Sequence, residues 1–131
     1  MNVVSLLIEL PFPPTVNSYW RRVGNRTLLS EGARKYRAAV QDAVADLTIR
    51  RMEFRLGLRK TITVPVAVEI EFRPPDRRRR DLDNLPKGLL DALKHAGIYA
   101  DDSQVRQLNM WFGPIQEGGL SVVRIVEFAA E

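Results

Sequence analysis

The fold turns on Val64–Gly97, VPVAVEIEFRPPDRRRRDLDNLPKGLLDALKHAG. Val64, Val66, Val68, Ile70 and Phe72 alternate with Pro65, Ala67, Glu69 and Glu71, a period of two that predicts a strand with one buried face. Pro74-Pro75 ends it. Leu82, Leu85, Leu89, Leu93 and Ala96 then recur at helical spacing, and Gly97 falls where a C-terminal cap belongs. With Asp83 as N-cap, Pro86 lies in the first turn, where the amide it lacks would have no helical partner anyway. Between strand and helix stand four arginines and then two aspartates one residue apart. Such a handover from strand to helix exposes side chains and backbone amides to a ligand.

Working outward, Val3–Leu10 is short and apolar, ends at Pro11, and predicts a strand. LPFPPTVNSYW follows as a proline-shaped loop. RRVGNRTLL predicts a hairpin about Gly24-Asn25, leading to Ser30 as a helix N-cap. Tyr36, Val40, Ala43, Val44 and Leu47 share one helical stripe, so the first long helix runs roughly Glu31 to Ile49. Arg50–Lys60 reads as its basic end plus a loop. Val105–Phe112 and Leu120–Phe128 are expected to pair with each other around the turn-rich GPIQEGG. The order predicts an α+β fold, a small single domain over residues 1–131 with a mixed β-sheet and two main helices.

A chain of 131 residues, 45% hydrophobic and 27% charged, can bury one core and is neither disordered nor built to span a bilayer. Met1–Pro11 lacks a basic start and carries Glu9, unlike a secretory leader. The absence of cysteine removes disulfides, thiolate metal sites and cysteine nucleophiles, and is compatible with a cytoplasmic location. Arg73–Arg80 holds five arginines and one aspartate, a net +4 that equals the charge of the whole chain. All the excess positive charge therefore sits in one segment, the footprint of a phosphate-binding surface or of a solvated loop.

Asp81 and Asp83 flank Leu82, which starts the apolar stripe, so both carboxylates are expected near the helix start and away from the core. Asp83 and Lys87, four apart, share a helical face. Asp101-Asp102 precedes the next strand, and if that strand lies beside Val64–Phe72 the second acidic pair returns close to the first. Several carboxylates with no cysteine and a single histidine favour a hard cation, magnesium or manganese. A cation between carboxylates relieves their repulsion while neighbouring arginines hold a polyanion, the arrangement phosphodiester hydrolysis needs. Lys87 would then neutralise charge in the transition state or help activate water. Each element also has a plainer reading: D-x-D as capping, Asp101-Asp102 as a turn, Asp83/Lys87 as a surface pair, His95 as a favourable charge at a helix end. Tyr19, Trp20 and Trp111 could stack on bases or belong to the core.

PPDRRRRDLDNLPKGLLDALKHAGIYADDSQV resembles the central motif of the RusA-type Holliday junction resolvases, small endonucleases of bacteria and their prophages. LPFPPTVNSYWR and GNRTLLSEGARKYR resemble the family's N-terminal pattern, so the likeness covers most of the chain. The resemblance implies that Asp81, Asp83 and Asp102 are the essential metal-binding carboxylates, with Asp101 assisting and Lys87 the catalytic lysine. It also implies that Arg77, Arg78, Arg79, Arg80 and Asn84 contact DNA. A magnesium-dependent homodimer nicking a four-way junction on two opposed strands is the expected enzyme, since a two-fold substrate needs two cuts. Two rivals remain: a non-catalytic branched-DNA-binding member of the same family, and a D-x-D nucleotide-sugar transferase, for which the chain looks too short.

Overall fold

The computed structural model describes residues 5–50 and 61–129, and for residues 47–50 the backbone alone. Its organising element is the strand foreseen from the alternation, β4 (Val66–Arg73), whose Val66, Val68, Ile70 and Phe72 are completely buried. It starts at Val66 because Pro65 has no N–H for the ladder; the Pro65 carbonyl still accepts from Phe128 N–H at 2.9 Å. Preceding it are β1 (Ser5–Leu10), a one-turn helix α1 (Val16–Tyr19), the hairpin β2 (Trp20–Val23) and β3 (Arg26–Leu29), and α2 (Glu31–Arg50). After it come α3 (Pro86–His95), β5 (Val105–Phe112) and β6 (Leu120–Glu127). The expected α+β fold with a mixed sheet and two main helices is what forms. Of the first expected strand, Val3 and Val4 lie outside the described residues, as do residues 51–60 of the basic Arg50–Lys60 stretch.

The four-stranded sheet has the order β1-β6-β4-β5, so β5 and β6 do not pair with each other as the sequence led us to expect. Strand β4 occupies the slot between them, parallel to β5 and antiparallel to β6. The GPIQEGG connection is no hairpin turn: it arches over the end of β4, with Gly113 N–H bonded to the Phe72 carbonyl at 2.8 Å and Gln116 N–H to that of Pro74 at 2.9 Å. Gly118 and Gly119, at φ 81° and 74°, turn it back into β6. A second two-stranded sheet, β2-β3, is the foreseen hairpin, turning at Gly24 with φ 61°.

Helices α2 and α3 cover one face of the sheet. Leu6, Ile8 and Leu10 of β1, Val123 and Ile125 of β6, Tyr36 and Val40 of α2, and Leu89, Ala92 and Leu93 of α3 merge with the β4 residues into one core. Ser30 caps α2 as expected: its Oγ accepts from Ala33 N–H at 3.1 Å and donates to the Ser18 carbonyl at 2.6 Å. The start of α3 differs from expectation. Asp83 is not its N-cap; a 3₁₀ turn, Leu82–Asn84, comes first and α3 begins at Pro86 after Leu85. Pro86 cannot donate to the Leu82 carbonyl four residues back, and Leu85 N–H takes that acceptor instead at 3.2 Å, closing the tighter turn.

One part-buried polar node ties the three helices together. The Tyr19 hydroxyl of α1 donates to Asp91 Oδ2 of α3 at 2.5 Å, and Arg37 of α2 donates to the same oxygen from Nε at 2.9 Å and Nη2 at 2.8 Å. Burial first, and then the Asp91 carboxylate, push the Tyr19 hydroxyl up to about 12. The Tyr19 ring lies against Gly88, where an added Cβ would approach ring carbons to 2.8 and 3.0 Å. Glycine to alanine inside an exposed helix stabilises by roughly 0.5–1 kcal/mol. At this position we expect the opposite sign, a loss of about 1–3 kcal/mol in urea unfolding of Gly88→Ala, because overpacking outweighs propensity.

A titration follows from the same node. The folded-state value of Tyr19 lies above its ordinary value of 10.0, so its stabilisation is complete below pH 10 and disappears as pH rises toward 12. Tyr36 and Tyr99 are raised in the same direction, chiefly by burial. Urea midpoints measured from pH 9 to 12 should fall, and fall less steeply in Tyr19→Phe.

Candidate active site

The site is assembled at the start of β5. Asp101 caps a 3₁₀ turn, Asp102–Gln104, in a capping box: its Oδ2 accepts from Ser103 N–H at 3.0 Å, and Gln104 Oε1 accepts from Asp101 N–H at 2.9 Å. Gln104 Nε2 also donates to the carbonyls of Ile62 at 2.8 Å and Val64 at 3.1 Å, fastening the turn to the chain entering β4. Hydrogen bonding from Ser103, through its hydroxyl and then its amide, holds the Asp101 carboxyl below the usual carboxylate range. Lys94 Nζ stands 3.5 Å from Asp101 Oδ1. Both Asp101 oxygens thus have partners within the protein.

Asp102, the first residue inside that turn, is different. Its Oδ2 is 3.8 Å from Lys87 Nζ, which projects from the first turn of α3. Its Oδ1 is buried and has no hydrogen-bond partner among the described residues. A buried acceptor left unpaired costs about 1–3 kcal/mol. The ion pair formed by Lys87 is thus with Asp102, on the far side of the crossover, and among the described residues Asp83 has no ion-pair partner.

Asp81 and Asp83 are exposed on either side of half-buried Leu82, and the turn that carries them lies beside β5. Asn84 is half-buried, its amide bonded to the Asp81 carbonyl at 3.1 Å. Among the described residues no three acidic or histidine side chains form a closed cage around a common point. The donor set is nevertheless one of hard oxygens, and the unpartnered Asp102 Oδ1 is the kind of atom a hard divalent cation satisfies. Asp102 suits such an ion by the chemistry of its open oxygen, although among the described residues no group of three donors is gathered around it.

The arginines divide into two kinds. Arg80 is mostly buried: its Nη2 meets Asp76 Oδ1 at 2.8 Å, its Nη1 donates to the carbonyls of Asp76 and Arg78, and its guanidinium lies 5.4 Å from the centre of the Phe12 ring. The Arg78 amide, and then the Arg80 side chain, hold the Asp76 carboxyl below its ordinary value. Arg77, Arg78 and Arg79 are exposed, and among the described residues the side chains of Arg77 and Arg79 have no partner. Tyr19 belongs to the core, whereas Trp20 and Trp111 are exposed. The Tyr19–Arg37–Asp91 node was not read from the sequence; its members are 18 to 72 positions apart, and no local pattern joins them.

With this geometry in place, the chain can be compared with known proteins. The model of the family described as endodeoxyribonuclease RusA matches residues 11–125, and the chain belongs to that family. The crossover junction endodeoxyribonuclease RusA of Escherichia coli (strain K12) is 40% identical over 131 residues, all of both chains. That of Enterobacteria phage HK97 is 38% identical over 118 residues, 90% of this chain and 91% of the phage protein. The protein of that name from Enterobacteria phage 82 is 40% identical over 124 residues.

The orphaned oxygen sets an expectation about stability. The half-exposed Lys87–Asp102 pair is worth at most about 1 kcal/mol, less than or equal to the burial cost of the unpartnered oxygen. In chelator, Asp102→Ala should therefore unfold at a urea midpoint equal to or above that of the wild type. A clear drop would show that Asp102 is a structural ion-pair residue.

Proposed function

We propose that this protein is a divalent-metal-dependent, structure-specific endodeoxyribonuclease that resolves four-way DNA junctions, working as a homodimer in the cytoplasm. The observation that carries the reading is Asp102, a carboxylate with one buried, unpartnered oxygen and the Lys87 ammonium beside the other, in a chain of the RusA family. The names of the relatives, crossover junction endodeoxyribonuclease, support the substrate class.

Asp102, Asp81 and Asp83 would hold the cation, magnesium or in its place manganese, with Asp101 assisting from the cap. Bound there, the ion supplies a water of lowered pKa and polarises the phosphoryl oxygen. In the hydrolysis a water oxygen would bond to phosphorus and give up one proton to solvent, while the phosphorus–oxygen bond to the leaving sugar breaks and the leaving oxygen takes up one proton. Lys87 sits where its ammonium can offset negative charge gathering on the phosphoryl group. Exposed Arg77, Arg78 and Arg79 hold backbone phosphates, and Asn84 borders the same turn. Arg80 fixes the tract from within through Asp76. Two such sites in an isologous dimer would nick opposed strands symmetrically and leave ends that ligase can seal.

Labelled four-way junction and matched duplex, incubated with and without magnesium, test the reading directly. Paired magnesium-dependent nicks on the junction alone are expected, and Asp83→Asn should abolish them while junction binding survives. Tight junction binding without cleavage in any divalent metal would make this a binding protein. Lys87→Ala should slow cleavage with little change in affinity. Magnesium at about 100 times its dissociation constant should stabilise the wild type by about 2.7 kcal/mol, and Asp102→Asn by much less. Replacing Arg77 and Arg79 together by alanine should reduce the slope of log affinity against log salt by about 2.

A further inference from the structure

At the opposite end of β5 from Asp102 lies an open groove of about 360 Å³, lined by Pro74, Asp76, Arg77, Arg78, Arg80, Phe112 and Ile115. Both walls are fixed. The arginine wall is held by the Asp76–Arg80 pair and by Arg80 over Phe12. The other wall is the start of the β5–β6 connection, tied down by the Gly113 and Gln116 amides and by Arg73 Nη1 donating to Gln116 Oε1 at 3.1 Å. On this stiff frame Phe112 is 40% and Ile115 49% exposed, facing Arg78 at 85% side-chain exposure. Large apolar side chains held in the open beside guanidiniums match a ligand with a flat apolar surface and a regularly placed negative charge.

We infer that this groove, beside the reacting centre, is a further DNA contact that takes one nucleotide unit of a junction arm. Its backbone phosphate lies on Arg77 and Arg78, and its sugar and base edge lie on Phe112 and Ile115. The inference rests on the proposed junction-resolving activity and adds where along the arm the protein grips. Arg78 is three residues from Asp81, at most about 11 Å of extended chain. Successive phosphates of one strand are about 3.4 Å apart along the duplex axis, which places the gripped phosphate about three nucleotides from the one being cut. Charge complementarity favours DNA over a second copy of this chain, because two copies meeting here would bring their arginines together.

Single methylphosphonate substitutions, each removing one phosphate charge, are introduced one to eight nucleotides from the cleaved bond of a long-armed junction, and affinity is measured for three proteins. For the wild type, affinity should drop about 5- to 10-fold at one or two adjacent positions near the third and stay level elsewhere. Arg77→Ala/Arg78→Ala should bind the unmodified junction more weakly and show no such dip. Phe112→Ala, a change at an exposed position, should weaken binding several-fold while keeping the dip. A flat wild-type profile, or an undiminished dip in the arginine variant, overturns the groove as a phosphate site. If Phe112→Ala/Ile115→Ser lowers the molecular mass in solution by half, the face is a subunit contact and the inference fails. If the wild type neither binds nor cuts the unmodified junction, the functional proposal itself has failed, a result distinct from each of these.

Discussion

Strand β4 is paired along both edges, and the placement of the chemistry follows from that. Its inward side chains are completely buried, so register cannot slip without turning Val66, Val68, Ile70 and Phe72 toward solvent. Because β5 runs parallel to it, the chain leaving β4 must travel back to the start of β5 before it can pair, and a parallel connection needs a crossover. The segment after Arg73 is that return path. Arg73 contacts Gln116 just beyond the end of β5, while Lys87 meets Asp102 just before its beginning. Arginines left near the first point and aspartates carried toward the second are thereby spread along the sheet edge. The abrupt change of sign in RRRRDLD need not end in mutual neutralisation, because Arg80 takes Asp76 as its counter-ion rather than the aspartates that follow it.

The node of Tyr19, Arg37 and Asp91 stabilises this crossover from behind. Taking a carboxylate and a guanidinium out of water costs several kcal/mol each, so the pair alone is weak support for stability. Its three hydrogen bonds onto Asp91 Oδ2 instead fix how α3 sits on α1 and α2. Gly88 lets the Tyr19 ring approach α3 immediately beside Lys87. The orientation of the lysine toward Asp102 is thus coupled to a core contact with α1 at the adjacent residue, and rigid support of this kind is what the role proposed for Lys87 would require.

Legibility followed the range of the interaction. Local rules carried the alternation of β4, the Ser30 cap, the Gly24 turn and the apolar stripe through Leu85, Leu89 and Leu93. The pairing of β5 with β6 was misread because a glycine-rich link between two apolar runs looks the same whether it closes a hairpin or bridges a third strand. Only the competition for β4's two edges decides between those, and it is non-local. The start of α3 was placed too early because the stripe continues through Leu82, while the missing amide of Pro86 breaks the hydrogen-bond ladder without breaking the stripe. In the site, the D-x-D, Lys87 and Asp102 pattern was visible as residue types, and nearness of the two acidic groups was conditional on β5 lying beside β4. Invisible was the division of labour within each cluster. Among the described residues Asp101 is partnered by Ser103 and Lys94 whereas Asp102 keeps an open oxygen, and Arg80 is tied while Arg77 and Arg79 have no partner.

That division explains how a small domain can hold an acidic cluster beside the proposed DNA-facing surface. Carboxylates near phosphate repel it, and every one whose charge is answered inside the protein reduces that repulsion. Asp76, Asp91 and Asp101 are each answered by an arginine or a lysine, and their neighbours spend no positive charge on Asp102 beyond the single distant contact from Lys87. Had Lys87 approached to full hydrogen-bonding distance, Asp102 would be neutralised and a cation would have little reason to bind there. At 3.8 Å the pair is loose enough for the carboxylate to change partners. Its oxygen without a partner among the described residues is the kind of acceptor that the proposed cation would satisfy.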